Sequence, residues 1–138
     1  MSLLSKLLTF ALVIASASAS VTDCSQGKGL FSINAQGFAP EPPVANEDAT
    51  LWIDYTIPDG VNIDAGTCKY SLTLNGLPFT PTVDDLCSQV SCPLSAGTYN
   101  LTSTSVWPSG VSGKVVTKIE WFDDKNTLLL CSQTTEKV

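Results

Sequence analysis

The sequence predicts an all-β domain of two packed sheets, and three observations carry that prediction. Apolar and polar residues alternate with a period of two over several short runs, clusters of Pro, Gly, Asn and Asp punctuate those runs, and helical periodicity is missing. At 138 residues with 43% apolar content, the chain suffices for one domain with a real core but not for two.

A first strand is expected over residues 30–36, followed by the Pro-rich stretch Pro40-Glu41-Pro42-Pro43, read as an extended crossing between sheets. The clearest run sets Leu51, Ile53, Tyr55 and Ile57 on one face against Thr50, Trp52, Asp54 and Thr56, and the turn residues Pro58-Asp59-Gly60 are expected to end it. Cys68, Tyr70, Leu72 and Leu74 then alternate with Thr67, Lys69, Ser71 and Thr73. Asn75-Gly76 suits a tight I′ turn, because both residue types tolerate positive φ, and should reverse the chain into Leu77-Pro78-Phe79. Further on, Tyr99, Leu101, Ser103 and Ser105 oppose Thr98, Asn100, Thr102 and Thr104, while Val115, Thr117, Ile119 and Trp121 oppose Lys114, Val116, Lys118 and Glu120. Asp123-Asp124-Lys125-Asn126 turns the chain into a last strand around Leu128-Leu129-Leu130. About seven strands with one apolar face each make the inventory of an immunoglobulin-like sandwich, its two sheets packed face to face.

The amino terminus reads as an address. Lys6, the apolar run over residues 7–15 and the small residues Ser16-Ala17-Ser18-Ala19-Ser20 follow the order of a secretory signal peptide. The run is about half of the roughly 20 residues a bilayer requires. The expected division is a leader over residues 1–19 and a domain over 20–138, which places the five cysteines in an oxidising compartment.

Composition narrows the chemistry. The net charge is -6, every cation is Lys, and there is no His, so a basic nucleic-acid footprint, His-dependent nucleophiles, imidazole metal sites and a histidine switch are excluded. Paired zinc knuckles are absent, Asp84-Asp85 and Asp123-Asp124 read as solvated turns, and Gly27-Lys28-Gly29 lacks phosphate-loop spacing. No catalytic residue, metal or cofactor is expected. Asn100-Leu101-Thr102 is a glycosylation sequon whose Asn100 points away from the inner face of Leu101. Five cysteines with one left free allow 15 connectivities. Loop length favours Cys87 with Cys92, and Cys24 with Cys131 would tie first strand to last; Cys68 is then a free thiol on the Tyr70 face, read as a buried small hydrophobe.

Three segments together resemble one family. Leu77-Pro78-Phe79-Thr80-Pro81, the block Asp85-Leu86-Cys87 through Cys92-Pro93-Leu94 to Gly97-Thr98-Tyr99, and Glu120-Trp121-Phe122-Asp123-Asp124-Lys125-Asn126 ahead of Leu130-Cys131 are similar to the MD-2-related lipid-recognition (ML) domain. Within it they resemble the Niemann-Pick type C2 and phosphatidylglycerol/phosphatidylinositol transfer branch. Two departures are visible: an additional close cysteine pair of the Niemann-Pick type C2 group is absent, and Cys68 has no partner.

By itself an alternating apolar stripe in a sandwich is ordinary close-packed core. What the resemblance implies is a cavity between splayed sheets that takes a sterol or phospholipid acyl chains, lined by the uncharged inner residues Leu51, Ile53, Tyr55, Tyr70, Leu72, Leu74, Leu77, Phe79, Leu101, Val115, Ile119, Trp121 and Leu128. The segment Val106-Trp107-Pro108-Ser109-Gly110-Val111 would form one rim, with Trp107 exposed enough to meet a membrane or a protruding ligand. Having no Arg, the chain leaves phosphate capture to Lys such as Lys114 or Lys118, which leans toward a neutral ligand. The expected protein is a monomeric carrier, secreted or in the endosomal, lysosomal or vacuolar lumen, that contacts membranes transiently and hands lipid to a membrane or a membrane-protein acceptor. Its rivals are an extracellular protein-interaction or lipid-sensing co-receptor module and a carboxylate-dependent hydrolase.

Overall fold

The computed structural model describes residues 18–41, 43–107 and 113–137. The expected leader lies almost wholly outside them. The described residues form nine strands and one short helix, in order: β1 (Ser18–Asp23), β2 (Ser32–Ala39), β3 (Asp48–Ile63), β4 (Gly66–Leu74), β5 (Leu77–Pro78), β6 (Thr82–Asp85), α1 (Leu86–Gln89), β7 (Leu94–Val106), β8 (Lys114–Asp123) and β9 (Leu128–Lys137). The all-β, immunoglobulin-like sandwich is as expected, with more strands than expected. Two- and four-residue strands such as β5 and β6 are too short to show alternation, and β1 begins at Ser18, inside the small-residue stretch of the expected leader.

Six strands form one sheet in the order β1-β9-β8-β4-β5, with β6 sharing the β4 edge, and three form the other in the order β2-β3-β7. Three local expectations are corrected. The Pro-rich stretch joins β2 to β3, which are antiparallel neighbours in one sheet, so it does not cross between sheets. Pro58-Asp59-Gly60 does not end its strand. Gly60 adopts the positive φ of +81° its sequence invited, but the extra residues bulge from β3 between the Ile57↔Gly97 and Asn62↔Ser95 pairs, and pairing with β7 resumes. At the start of β9 the register slips between Trp121↔Leu130 and Phe122↔Leu128. Leu128 therefore pairs with Phe122 on the outer face, and Leu130 takes the inner place expected of it.

The turns follow their chemistry. Asn75 and Gly76 have φ of 49° and 84° between β4 and β5. The Asp123 carboxylate accepts hydrogen bonds from the backbone N–H of Thr127 at 2.8 Å and of Lys125 at 2.9 Å, which holds its pKa below the usual carboxylate range.

One end of the sandwich is solid. Tyr55 stacks between Phe31 at 5.9 Å and Tyr99 at 5.6 Å, and meets Trp121 edge-on at 5.4 Å. Ile57, Ile63, Leu86, Leu94, Leu130 and the unpaired Cys68 fill the space around these rings. Burial pushes the Cys68 thiol and the Tyr55 hydroxyl up in pKa. At the start of β4 the backbone approaches β8 so closely that a Cβ on Gly66 would collide with the Phe122 carbonyl oxygen. Disulfides Cys24–Cys131 and Cys87–Cys92 close the margins of this end.

Candidate functional site

Toward the other end the sheets enclose space in two adjoining lobes. The first, about 120 Å³, is lined by Leu51, Ile53, Leu101 and Ser103 of β3 and β7, by Tyr70, Ile119 and Trp121 of β4 and β8, and at its side opening by Thr102 and Gln89. The second, about 210 Å³ and more open, is lined by Phe38, Ala49, Leu51, Ser103 and Ser105 on one wall and by Tyr70, Thr117, Ile119, Thr134 and Glu136 on the other. Leu51, Tyr70, Ser103 and Ile119 line both. Tyr70 therefore stands where the lobes meet, its hydroxyl directed to the Gln89 side-chain oxygen across a long 3.4 Å contact. Burial, together with the neighbouring Cys68, pushes that hydroxyl far above its ordinary pKa. A hydrogen bond of 2.8 Å from Ser132 to the Gln36 side-chain oxygen ties the two sheets beside the cavity.

Of the residues expected to line a cavity, Leu51, Ile53, Tyr70, Leu101, Ile119 and Trp121 come together around it. Tyr55 lines neither lobe; it is held in the ring stack and borders a separate, open depression with Gln89, Leu94, Tyr99 and Leu101. Leu74 and Val115 are half-buried partners on the same face but line neither lobe. Leu72, Leu77 and Phe79 are exposed, Leu77 at 69% and Phe79 at 51%. They lie at or beside the β5 edge, where the Phe79 N–H donates to the Leu72 carbonyl at 2.9 Å, and the three-stranded sheet opposite is too narrow to cover that edge. Val106 is also exposed. Pro108 and Val111 lie outside the described residues.

Trp107 corrects the expectation of an exposed rim residue, since it is only 4% accessible. Its N–H donates to the Glu47 carbonyl, its carbonyl accepts from Asn46, and its ring meets Phe38 edge-on at 5.9 Å. It thus braces Phe38 in the cavity wall. Lys114 and Lys118 sit on the β8 face opposite Thr117 and Ile119, so neither reaches the lobes, and no Lys lines either lobe.

The expectation of an uncharged lining fails at Glu136. Its carboxyl is half-buried in the second lobe, and desolvation raises its pKa. Thr134 and Glu136 follow from continuing the β9 alternation past Leu130, a phase hidden by three consecutive leucines. Ser103 and Ser105 were already on the Leu101 face of β7, whereas Gln89, on α1, carried no periodic signal. Asn100 is exposed on the outer face, where its side-chain nitrogen donates to the Asp54 carboxylate. Among the described residues no cluster of metal-ligating side chains occurs.

The curated relatives include two Dictyostelium discoideum proteins named "Putative phosphatidylglycerol/phosphatidylinositol transfer protein" 1 and 3, which are 30% and 27% identical over 83 and 84 residues. Each alignment covers 59% of this chain and 54% of the relative, so the chain spans about half the length of the curated relatives it matches. A Niemann-Pick type C2 protein from Japanese carpenter ant shares the fold with a TM-score of 0.60 at 15% identity, over 84% of this chain and 96% of that one. Chicken MD-1, solved in complex with lipid IVa, shares it with a TM-score of 0.53 at 12% identity, over 88% and 90%. Residues 18–138 match the family profile of the ML domain, and the chain belongs to that family.

Proposed function

We propose that this ML-domain protein is a lipid carrier that holds the apolar body of a sterol or phospholipid between its two sheets. The observation that carries the reading is the pair of adjoining lobes walled by Leu51, Ile53, Leu101, Ile119 and Trp121, in a position where a sandwich ordinarily interdigitates. The names of its relatives and the lipid in the MD-1 complex support it. Each CH2 moved from water into such a space contributes about 0.8 kcal/mol, so shape and bulk rather than covalent chemistry would govern the interaction.

Each lobe is smaller than the roughly 300–1,000 Å³ of a typical small-molecule site, so uptake requires the lobes to merge and widen. Tyr70 is the side chain whose rotation would merge them. The six-stranded sheet overhangs its three-stranded partner, which leaves Leu72, Leu77 and Phe79 exposed as an apolar shelf suited to brief membrane contact. The two disulfides fit a secreted or luminal setting reached after removal of residues 1–19, with Asn100 available for a glycan. The protein acts as a monomer that delivers its lipid to a membrane or a membrane-bound acceptor.

Organic extraction of the purified protein followed by mass spectrometry tests this reading, together with titration by a fluorescent sterol and a fluorescent phospholipid. A stoichiometric co-purified or titrated lipid is expected. A protein that carries none and takes up neither probe favours the interaction-module alternative.

A further inference from the structure

The inner face of β9 changes character along its length. Leu130 lies opposite Trp121 at the solid end, Ser132 opposite Ile119, Thr134 opposite Thr117, and Glu136 opposite Val115 at the open end. Across the second lobe, β7 presents Ser103 and Ser105. The first lobe is thus mainly apolar in its walls, and the second ends in hydroxyls and one carboxylate. An inward carboxylate in a greasy sandwich costs desolvation and contributes nothing to packing. Lys114 and Lys137, paired with one another on the outer face, are on the far side of the sheet from it.

We propose that the second lobe is a polar-head site in which Glu136, with Thr134 and Thr117 facing Ser103 and Ser105, selects a lipid whose polar end is an uncharged or cationic hydrogen-bond donor over one whose head carries an anionic phosphate. The inference rests on the lipid-carrier reading and adds to it the chemistry of the head. An ionised carboxylate only accepts hydrogen bonds, so its complement is a hydroxyl or an amine, while the serine and threonine hydroxyls serve either role. A phosphate presents further acceptors and a like charge, and no cation lines the lobe to offset them. The apolar body then runs from Leu51 and Ile119 toward Trp121, with the head at the more open lobe. Lipid orientation and head selection arise from the same gradient along β9.

The test uses the purified chain at pH 7.5 with dehydroergosterol, its 3-O-methyl ether, sphingosine as a competing long-chain amine, and a fluorescent phosphatidylglycerol. Wild type is expected to prefer dehydroergosterol over the ether by about tenfold, the scale of one hydrogen bond to a charged group, and to bind phosphatidylglycerol least. Glu136→Ala should collapse the sterol-to-ether preference toward one. Glu136→Gln keeps a neutral acceptor, so it should retain a smaller part of that preference while losing sphingosine competition and gaining phosphatidylglycerol binding. Sphingosine competing in wild type but not in Glu136→Gln identifies an amine as an accepted head; sterol preference without such competition identifies the hydroxyl alone. Circular dichroism checks that both variants fold. Equal sterol and ether affinities in wild type, or phosphatidylglycerol binding that neither variant alters, overturn the head-site proposal and leave the carrier reading standing. Failure of wild type to bind any of the four probes overturns both.

Discussion

At one end of the sandwich Phe31, Tyr55, Tyr99 and Trp121 interlock through ring contacts of 5.4 to 6.5 Å, while at the other the same strands surround open space. Both interruptions of the β3–β7 and β8–β9 pairing, the bulge after Ile57 and the slip after Trp121, lie toward the solid end, and these ladders are unbroken around the lobes, so strand separation within a sheet does not explain the difference. Side-chain volume does. Along β7 the inner face runs Tyr99, Leu101, Ser103, Ser105; along β8 it runs Trp121, Ile119, Thr117; along β9 it runs Leu130, Ser132, Thr134. β7 and β8 step down in size in the same spatial direction while β9 drops from Leu130 to Ser132 and Thr134, and a sheet-to-sheet spacing set by large rings at one end leaves these smaller side chains out of contact at the other. The cavity is a packing deficit written in register across neighbouring strands.

The largest expected effect comes from breaking the solid end. Cys24–Cys131 closes a separation of 107 residues, and the loop-entropy relation gives a contribution of about 5 kcal/mol. Cys87–Cys92 spans five residues, for which the same relation gives about 2 kcal/mol. Urea unfolding of the Cys24→Ser/Cys131→Ser and Cys87→Ser/Cys92→Ser double variants should therefore rank in that order. Equal losses would mean that native packing around the bridges, and not restriction of the unfolded chain, sets their worth.

The converse experiment fills the hollow end. Ser103 lines both lobes, so Ser103→Phe places a ring where the inner face lacks volume. Lipid uptake should fall at least tenfold, measured by fluorescent-lipid titration, while the unfolding free energy from urea titration changes by less than about 1 kcal/mol because the added atoms enter space rather than neighbours. A loss of several kcal/mol would show that this end is packed like the other and would erase the distinction between them.

How much of this difference the sequence reveals depends on the residue. The sandwich was legible from the Leu51-Ile53-Tyr55 and Tyr70-Leu72-Leu74 alternations, and the Asn75-Gly76 and Asp123–Asn126 turns from local chemistry, because each of these signals is carried by neighbouring residues. Alternation also sorted inward from outward residues on β3, β7 and β8. It could not show which inward residues fail to touch, since that depends on the facing strand: Leu51 and Ile57 have the same phase, yet one lines a cavity and the other is 1% accessible core. Trp107 was expected at a rim because the family resemblance puts the segment 106–111 there, whereas its ring packs against Phe38, distant in sequence. Phe79 has the right phase for the interior and lies at an edge that the narrower sheet leaves uncovered. The register slip near Leu128 displaced one more expected lining residue, and no local pattern announces it.

The smallest effect concerns the one carboxylate that faces the hollow end. Burial raises the Glu136 pKa, so between its unfolded and folded values the folded chain binds more protons than the unfolded chain. Stability must then fall as pH rises through that window, and above it the cost of holding the charged form out of water stands in full. The groups around the carboxyl in the lobe are the hydroxyls of Ser103, Ser105, Thr117 and Thr134, the Tyr70 phenol and apolar side chains, with no cation to reverse the sign. Glu136→Gln is neutral at every pH, so thermal unfolding should find it slightly more stable than wild type at pH 7, with the difference closing as the pH falls to about 4, near the ordinary pKa of a free Glu side chain. A gain that persists unchanged at acid pH would trace to packing rather than charge. A variant less stable than wild type at pH 7 would mean that the ionised carboxylate is welcomed by its surroundings, and the hollow end would then hold a satisfied anion instead of one that awaits a donor.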